Sequence, residues 1–211
     1  MNGEAPVVFL IDDDASVREG VADLLRSVGL QVRSFASPQE FIDSKRPDAP
    51  GCLVLDVRLP GPSGLELQRV LASSNIELPI VFISGHGDIA MSVRAIKSGA
   101  IEFLTKPLNE QQLLDAVHTG IEQDRSRRLE TIALTELRTR LDALTSRERE
   151  ILLLVVSGKP NKQIASDLGV SEMTVKVHRS QVMHKMRAKS AIDLVRITDK
   201  LGIATPPDVV T

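Results

Sequence analysis

The sequence predicts two units of different class: an α/β unit on a five-stranded parallel, doubly wound sheet, then a small all-α unit containing a helix-turn-helix. Three observations predict this. Short apolar runs alternate with helically spaced segments through residues 6–122, the pattern of a parallel sheet covered on both faces. Polar and glycine-rich residues gather where four of those runs end. Beyond residue 124 no strand-like run occurs and the charge reverses sign.

Taken in order, Pro6–Ile11 (PVVFLI) reads as the first strand and runs into Asp12-Asp13-Asp14. Ser16–Val28 follows, with apolar residues at 17, 21, 24, 25 and 28, a helical spacing that Gly29 closes. Gln31–Phe35 is a second strand and Pro38–Ser44 a short helix. Cys52–Leu55 is a buried third strand ending at Asp56, followed by the loop Pro60–Gly64 and a helix over Leu65–Ser73. Pro79–Ile83 is the fourth strand, and Ile89–Ser98 a helix closed by Gly99. Ile101–Leu104 is the fifth strand, leading to Lys106-Pro107, and Glu110–Glu122 is a helix.

The segment Asp124–Leu144 has neither Gly nor Pro, which predicts a helical linker. Its leucines at 134, 137, 141 and 144 leave open a short coiled-coil-like seam or a solvated helix. Thr145 and Glu148 have the spacing of a capping box ahead of Ile151–Val156. Gly158-Lys159-Pro160 is a turn. Asn161–Leu168, Gly169 and Ser171–Met186 then read as helix, tight turn and helix. Ser190–Leu201 is a last helix, and Thr205–Thr211 a frayed tail. The expected domains are therefore 1–122, a linker over 123–142, 143–204, and a tail over 205–211.

Composition narrows the function. Residues 1–124 carry a net charge of -8 and residues 125–211 a net charge of +6, within a chain of -2. A basic segment joined to an acidic one suggests a polyanion-binding module attached to something else. All five phenylalanines precede residue 104, and Trp and Tyr are absent. The basic half thus lacks the stacking platforms that single-stranded nucleic acids use, which favours duplex DNA. No apolar run approaches the ~18 residues of a membrane span. No signal peptide is read at the N-terminus. The single Cys52 lies in the apolar run CLVL, suiting a buried thiol in a reducing cytoplasm.

Asp12, Asp13 and Asp56 end adjacent strands, and carboxylates brought together repel by ~4 kcal/mol per pair at about 4 Å and an effective dielectric of about 20. A proton or a cation must relieve this. Hard carboxylates with open coordination positions suit Mg²⁺, which favours phosphate oxygens. Lys106 brings a positive charge for the same anion and Ser84 a hydroxyl donor. Nucleophilic carboxylate, metal, ammonium and hydroxyl together suit phosphoryl transfer. Asp14 reads instead as the cap of the next helix.

The segments FLIDDDASVRE, CLVLDVRLPGPSGLEL, PIVFISGHGD and GAIEFLTKP, in this order, resemble the receiver domain of bacterial response regulators over about residues 5–122. The resemblance implies a flavodoxin-like receiver fold and a phosphoacceptor at Asp56, served by a sensor histidine kinase. It implies Mg²⁺ held by Asp13, Asp56 and the backbone carbonyl of Arg58, with Asp12 ordering a metal-bound water. Lys106 would contact the phosphoryl group, Ser84 would be drawn toward it, and Phe103 would swing inward. His86 is read as an exposed loop histidine.

Residues 140–202 resemble the LuxR-type output domain of the NarL/FixJ group, through NKQIASDLGVSEMTVKVHRSQVMHKM above all. Ile164, Ala165, Leu168 and Val170 would form an inner face. Met173, Val175 and Val182 would alternate with exposed Lys176, Arg179 and Ser180. By resemblance Lys176, Val177 and Ser180 face base edges, while Lys162, Thr174 and His178 lie near phosphates. Many relatives carry a basic residue at the position of Ser180. Lys185, Arg187 and Lys189 are either further DNA contacts or a solvated face.

The implied protein is a cytoplasmic, phosphorylation-controlled transcription regulator and not an enzyme. Its implied partners are the kinase, duplex promoter DNA, RNA polymerase and a second copy of itself on phosphorylation. The apolar excess Ala191, Ile192, Leu194, Val195, Ile197 and Leu201 is one candidate dimer surface. Two rivals carry different signatures. A phosphatase or nucleotide binder would need a glycine-rich phosphate loop after the first strand, which IDDDASVRE lacks. A ligand-sensing LuxR-type regulator would need a roomy apolar pocket in place of the acids.

Overall fold

The computed structural model describes residues 5–74, 76–85 and 89–203. His86 and the tail 205–211 lie outside the described residues. The chain divides into two compact units, 1–128 and 129–211.

In the first unit the strands are β1 (Val7–Ile11), β2 (Gln31–Phe35), β3 (Gly51–Asp56), β4 (Ile80–Ser84) and β5 (Glu102–Thr105). They interleave with α1 (Ala15–Ser27), α2 (Pro38–Asp43), α3 (Gly64–Ser73), α4 (Ile89–Lys97) and the start of α5 (Glu110–Asp142). The sheet has the order β2-β1-β3-β4-β5 and every pairing is parallel. The β-branched and aromatic runs of β1, β3 and β4 are buried along their whole length, as central strands covered on both faces must be.

Side chains alternate across a strand, so each strand feeds two cores. Phe9, Ile11, Leu53, Leu55 and Phe82 meet Phe41 of α2, Leu67 and Leu71 of α3 and Ala95 of α4. Val8, Leu10, Val54, Val81 and Ile83 meet Val21 and Leu25 of α1 and Leu113, Val117 and Ile121 of α5. Helices α2, α3 and α4 therefore cover one face of the sheet and α1 and α5 the other. The chain leaves β1 toward β2 on one side and returns to β3 on the other. That reversal opens a crevice at the carboxyl ends of β1 and β3.

The helix expected over Glu110–Glu122 and the expected helical linker are one element, α5, of 33 residues. Asp124, expected to open a polar linker, has a fully buried side chain. It accepts the Gly51 amide at 2.9 Å and Arg128 Nε at 2.8 Å, and it pairs with Arg127. Arg127 also reaches Glu77 at 2.6 Å, and Arg128 reaches Asp48 at 2.5 Å. Burial of a carboxylate demands such partners.

The second unit holds α6 (Ser146–Val156), α7 (Asn161–Leu168), α8 (Glu172–Met186) and α9 (Ala191–Lys200). The capping box forms: the Glu148 amide donates to Thr145 Oγ1 at 3.2 Å, and the Thr145 amide to Glu148 Oε2 at 2.7 Å. Gly169 takes the left-handed conformation at φ 63° between α7 and α8, where a side chain would be strained. Leu144, Ile151, Leu152, Val155, Ile164, Val175, Val182, Met186 and Leu194 form the core. Ala191, Val195, Ile197 and Leu201 pack against it. Of the apolar set proposed on this helix as a dimer surface, Ile192 alone is strongly exposed, at 69%. The others serve the packing of their own unit. Among the described residues no helix is long and apolar enough to cross a membrane.

Candidate functional sites: an acid pocket and an exposed helix face

Asp12 follows β1 directly, and its amide donates to the carbonyl of Phe35 at 3.3 Å. Its carboxylate is fully buried and accepts the Asp14 amide on Oδ1 at 3.0 Å. Asp14 turns its own carboxylate onto the first turn of α1, accepting from the amides of Ser16 at 2.8 Å and Val17 at 3.2 Å. Asp14 is therefore the helix cap, as its sequence context indicated. Asp56 ends β3, 5% exposed, and its Oδ1 accepts the Arg58 amide at 2.9 Å. The Arg58 side chain itself is exposed.

Gly64 lets the next helix begin close by. A Cβ there would stand 2.4 Å from the carbonyl oxygen of Asp56, closer than any side chain tolerates.

Asp12, Asp13 and Asp56 each offer an oxygen within 4.8 Å of the others, Asp13 being exposed. Lys106 arrives just after β5, its amide bonded to the Ser84 carbonyl at 2.8 Å. Its Nζ donates to Asp12 Oδ2 at 2.7 Å and to Asp56 Oδ2 at 2.6 Å. The ammonium thus relieves two of the three mutually repelling charges.

Burial pushes the Asp12 carboxyl above its ordinary range. Lys106 opposes that shift and the Asp56 charge adds to it. Burial likewise pulls the Lys106 ammonium down, but its hydrogen bonds to Asp12 and Asp56 and their charges outweigh this and leave it raised. Two buried carboxylates and one open to water form a hard, all-oxygen donor set, which fits Mg²⁺ with several retained waters.

Ser84 ends β4, fully buried, in register with Thr105. Phe103 is half-buried on β5, its ring 6.4 Å from that of Phe82 at 39°. Arg18 is a residue that the sequence reading left out. Its Nη1 donates to the carbonyls of Asp12 at 2.6 Å and Asp13 at 3.3 Å. Its place in the first turn of the helix after the acids was the available signal.

On α8, Val175, Val182 and Met186 are buried. Met173, Lys176, Val177 and Ser180 are exposed together, at the i, i+3, i+4, i+7 spacing of one helical face. Met173, 68% exposed, therefore belongs with the exposed set and not with the inner one. It lies two residues before Val175, about 200° away around the helix at 3.6 residues per turn. Arg179 was expected on the exposed face. Instead it is half-buried, and its Nη1 donates to Asn161 Oδ1 at 2.9 Å, tying α8 to the start of α7. Lys162 is exposed; Thr174 and His178 are half-buried. The Thr174 amide also donates to the capping Ser171 Oγ at 3.1 Å.

Lys185 is engaged within the unit, donating to Glu148 Oε2 at 2.7 Å and to the Ala143 carbonyl at 3.2 Å. Arg187 takes a left-handed conformation at φ 53° that ends α8, and the Lys189 amide bonds Asp193.

An acid pocket at the carboxyl ends of a parallel sheet, joined in one chain to a four-helix helix-turn-helix unit, is the two-part build of a response regulator of transcription. Sequence comparison gives the same class. Residues 8–118 match the response regulator receiver domain, and residues 142–198 match the bacterial regulatory proteins of the luxR family. The chain is 50% identical over 198 residues to nodulation protein W of Bradyrhizobium diazoefficiens, covering 94% of this chain and 87% of that protein. It is 40% identical over 205 residues to the transcriptional regulatory protein FixJ of Azorhizobium caulinodans, covering 97% of each. Among solved structures, that of response regulator StyR superposes with a TM-score of 0.85 at 48% identity, covering 93% of this chain and 99% of that one.

The chain belongs to the two-component response regulators that join a receiver domain to a LuxR-type DNA-binding domain. Proteins of this family are transcriptional regulators and not classical enzymes; the receiver implies a histidine kinase partner, and the output domain implies DNA binding.

Proposed function

We propose that Asp56 accepts a phosphoryl group from the phosphohistidine of a sensor kinase, and that this shifts the protein toward a dimer that binds promoter DNA. A carboxylate oxygen of Asp56 forms the new O–P bond, the N–P bond of the phosphohistidine breaks, and the leaving imidazole takes its proton from solvent. Asp13, Asp56 and the carbonyl of Arg58 would hold Mg²⁺, with Asp12 ordering one of its waters. Bound there, Mg²⁺ supplies charge neutralisation for the phosphoryl oxygens.

Lys106 leaves its carboxylate partners to bind the phosphoryl group. Ser84 donates its hydroxyl to the same group, and Phe103 follows inward against the core around Phe82. The observation that carries this reading is the convergence of Asp12, Asp13, Asp56 and Lys106 at one end of the sheet, from positions as far apart as 12 and 106.

In the second domain Lys176, Val177 and Ser180 read base edges, while Lys162, Thr174 and His178 sit against phosphates. Arg179 acts beside them, its bond to Asn161 orienting α8 on α7. Two such domains read half-sites about 10 bp apart, or a multiple of that. The domains of this reading are a phosphoacceptor domain over 1–122, a helical linker over 123–142, a DNA-binding domain over 143–204 and a tail over 205–211. The family matches at 8–118 and 142–198 support this division, and the bonds of Asp124 to Gly51, Arg127 to Glu77 and Arg128 to Asp48 root the start of the linker on the first domain. The protein works in the cytoplasm, where kinase, promoter and RNA polymerase are all within reach.

The test is labelling by acetyl phosphate with Mg²⁺, followed by DNA binding and sedimentation. Wild type should acquire one acid-stable, base-labile phosphoryl group, dimerise and bind more tightly. Asp56→Asn should do none of these. Undiminished labelling of Asp56→Asn would refute the assignment.

A further inference from the structure

We propose that Arg18 is a positioning residue of the acid pocket, setting the direction of the Asp13 carboxylate through the backbone. This rests on the reading of that pocket as a Mg²⁺ and phosphoryl site. The Asp12 carboxylate is held from two sides, by Lys106 Nζ at 2.7 Å and by the Asp14 amide at 3.0 Å. Asp56 is held by Lys106 and by the Arg58 amide. Among the described residues, no side chain or amide holds the Asp13 carboxylate. Its aim therefore depends on the two peptide planes that flank it.

Those are the planes Arg18 grips: one guanidinium nitrogen, Nη1, bridges the carbonyl oxygens of Asp12 at 2.6 Å and Asp13 at 3.3 Å. The base of the arginine is itself anchored. Its amide donates to the Asp14 carbonyl at 2.9 Å, and Asp14 caps the same helix. Long side chains on a helix lean toward its N-terminus, which carries this one back over the loop. Groups that orient a ligand without touching the metal are worth about tenfold or more in affinity.

Charge and positioning predict opposite signs here. A guanidinium near a cation site repels the cation, so its removal should tighten Mg²⁺ binding if charge dominates. If positioning dominates, removal loosens the Asp13 carboxylate and weakens binding.

The experiment titrates Mg²⁺ into the full-length protein by calorimetry, for wild type, Arg18→Met, Arg18→Lys and Asp13→Asn. It also follows the initial rate of acetyl phosphate labelling against Mg²⁺ concentration. Arg18→Met should weaken Mg²⁺ binding by about tenfold and raise the Mg²⁺ concentration for half-maximal labelling equally. The labelling rate at saturating Mg²⁺ should stay within about twofold of wild type, because Asp56 and Lys106 keep their own partners. Arg18→Lys retains the charge and one donor and should recover part of the loss. An Arg18→Met affinity equal to or tighter than wild type overturns the proposal, as does an Arg18→Lys protein indistinguishable from wild type. If Arg18→Met does not fold, Arg18→Lys carries the test, with weakening of about threefold expected and none overturning it. Wild type that binds no Mg²⁺, or Asp13→Asn that binds it as wild type does, overturns the reading of the pocket itself and the role of Arg18 with it.

Discussion

Replacing Lys106 by Met keeps a long apolar stem and removes the ammonium that lies 2.7 Å from Asp12 and 2.6 Å from Asp56. Coulomb's law at an effective dielectric of about 20 gives roughly 6 kcal/mol for each such pair. Returning the ammonium to water offsets much of this, and removing one partner of a buried pair costs a net of about 3–5 kcal/mol. The variant should therefore lose about that much stability at pH 7 without divalent cation.

The loss should depend on pH with a definite sign. Asp12 already binds its proton more readily folded than unfolded, through burial first, while Lys106 holds that shift in check. A group whose folded pKa is raised costs stability as pH rises through it. Without Lys106 that cost grows, so wild type and variant should converge as pH falls toward the carboxylate range and diverge toward neutrality. Mg²⁺ should also stabilise the variant more than wild type, because it relieves carboxylates that Lys106 no longer pairs.

The chain has no Trp or Tyr to report unfolding by fluorescence. Amide hydrogen exchange in β1 and β3 is the suitable assay, since those buried strands open only with their own unit. It should be run with EDTA and with Mg²⁺ at two pH values. Equal protection of wild type and Lys106→Met in EDTA at neutral pH would refute the reasoning.

Three further outcomes follow from the geometry. Lys185→Met should destabilise the second unit by about 1 kcal/mol. Hydrogen bonds from Lys185 first, and from the Thr145 cap, hold Glu148 below its ordinary 4.5. That stabilisation is present above pH 4.5 and fades as pH falls through the lowered folded value, so urea titrations of the two proteins should merge in acid. Gly64→Ala should cost about 1–3 kcal/mol and shift the Asp56 peptide, read as loss of exchange protection at the end of β3; unaltered protection would show that the helix start can retreat freely. Lys176→Ala should cost roughly 1–3 kcal/mol on a cognate site and little on scrambled DNA, whereas Arg179→Ala should weaken both equally while lowering the melting point of the second unit. Sequence-selective loss for Arg179→Ala would make it a base contact.

Much of this architecture was legible along the chain because its determinants are local. The unbroken apolar runs PVVFLI and PIVFI, the cap at Asp14, the box of Thr145 and Glu148 and the left-handed Gly169 each act within a few residues. The meeting of Asp12, Asp13, Asp56 and Lys106 was legible too, because each follows a strand and parallel strands end together. What only the tertiary structure decided are choices of partner across long separations. Lys106 bridges two carboxylates 94 and 50 residues away. Asp124 is buried because the Gly51 amide, 73 residues distant, needs an acceptor. Lys185 joins Glu148 across 37 residues, and Arg179 is drawn from the exposed face by Asn161 across 18. A charged side chain reads the same in sequence whether water or a distant backbone group satisfies it. The energy that decides between them comes from desolvation, which exists only once the chain has packed.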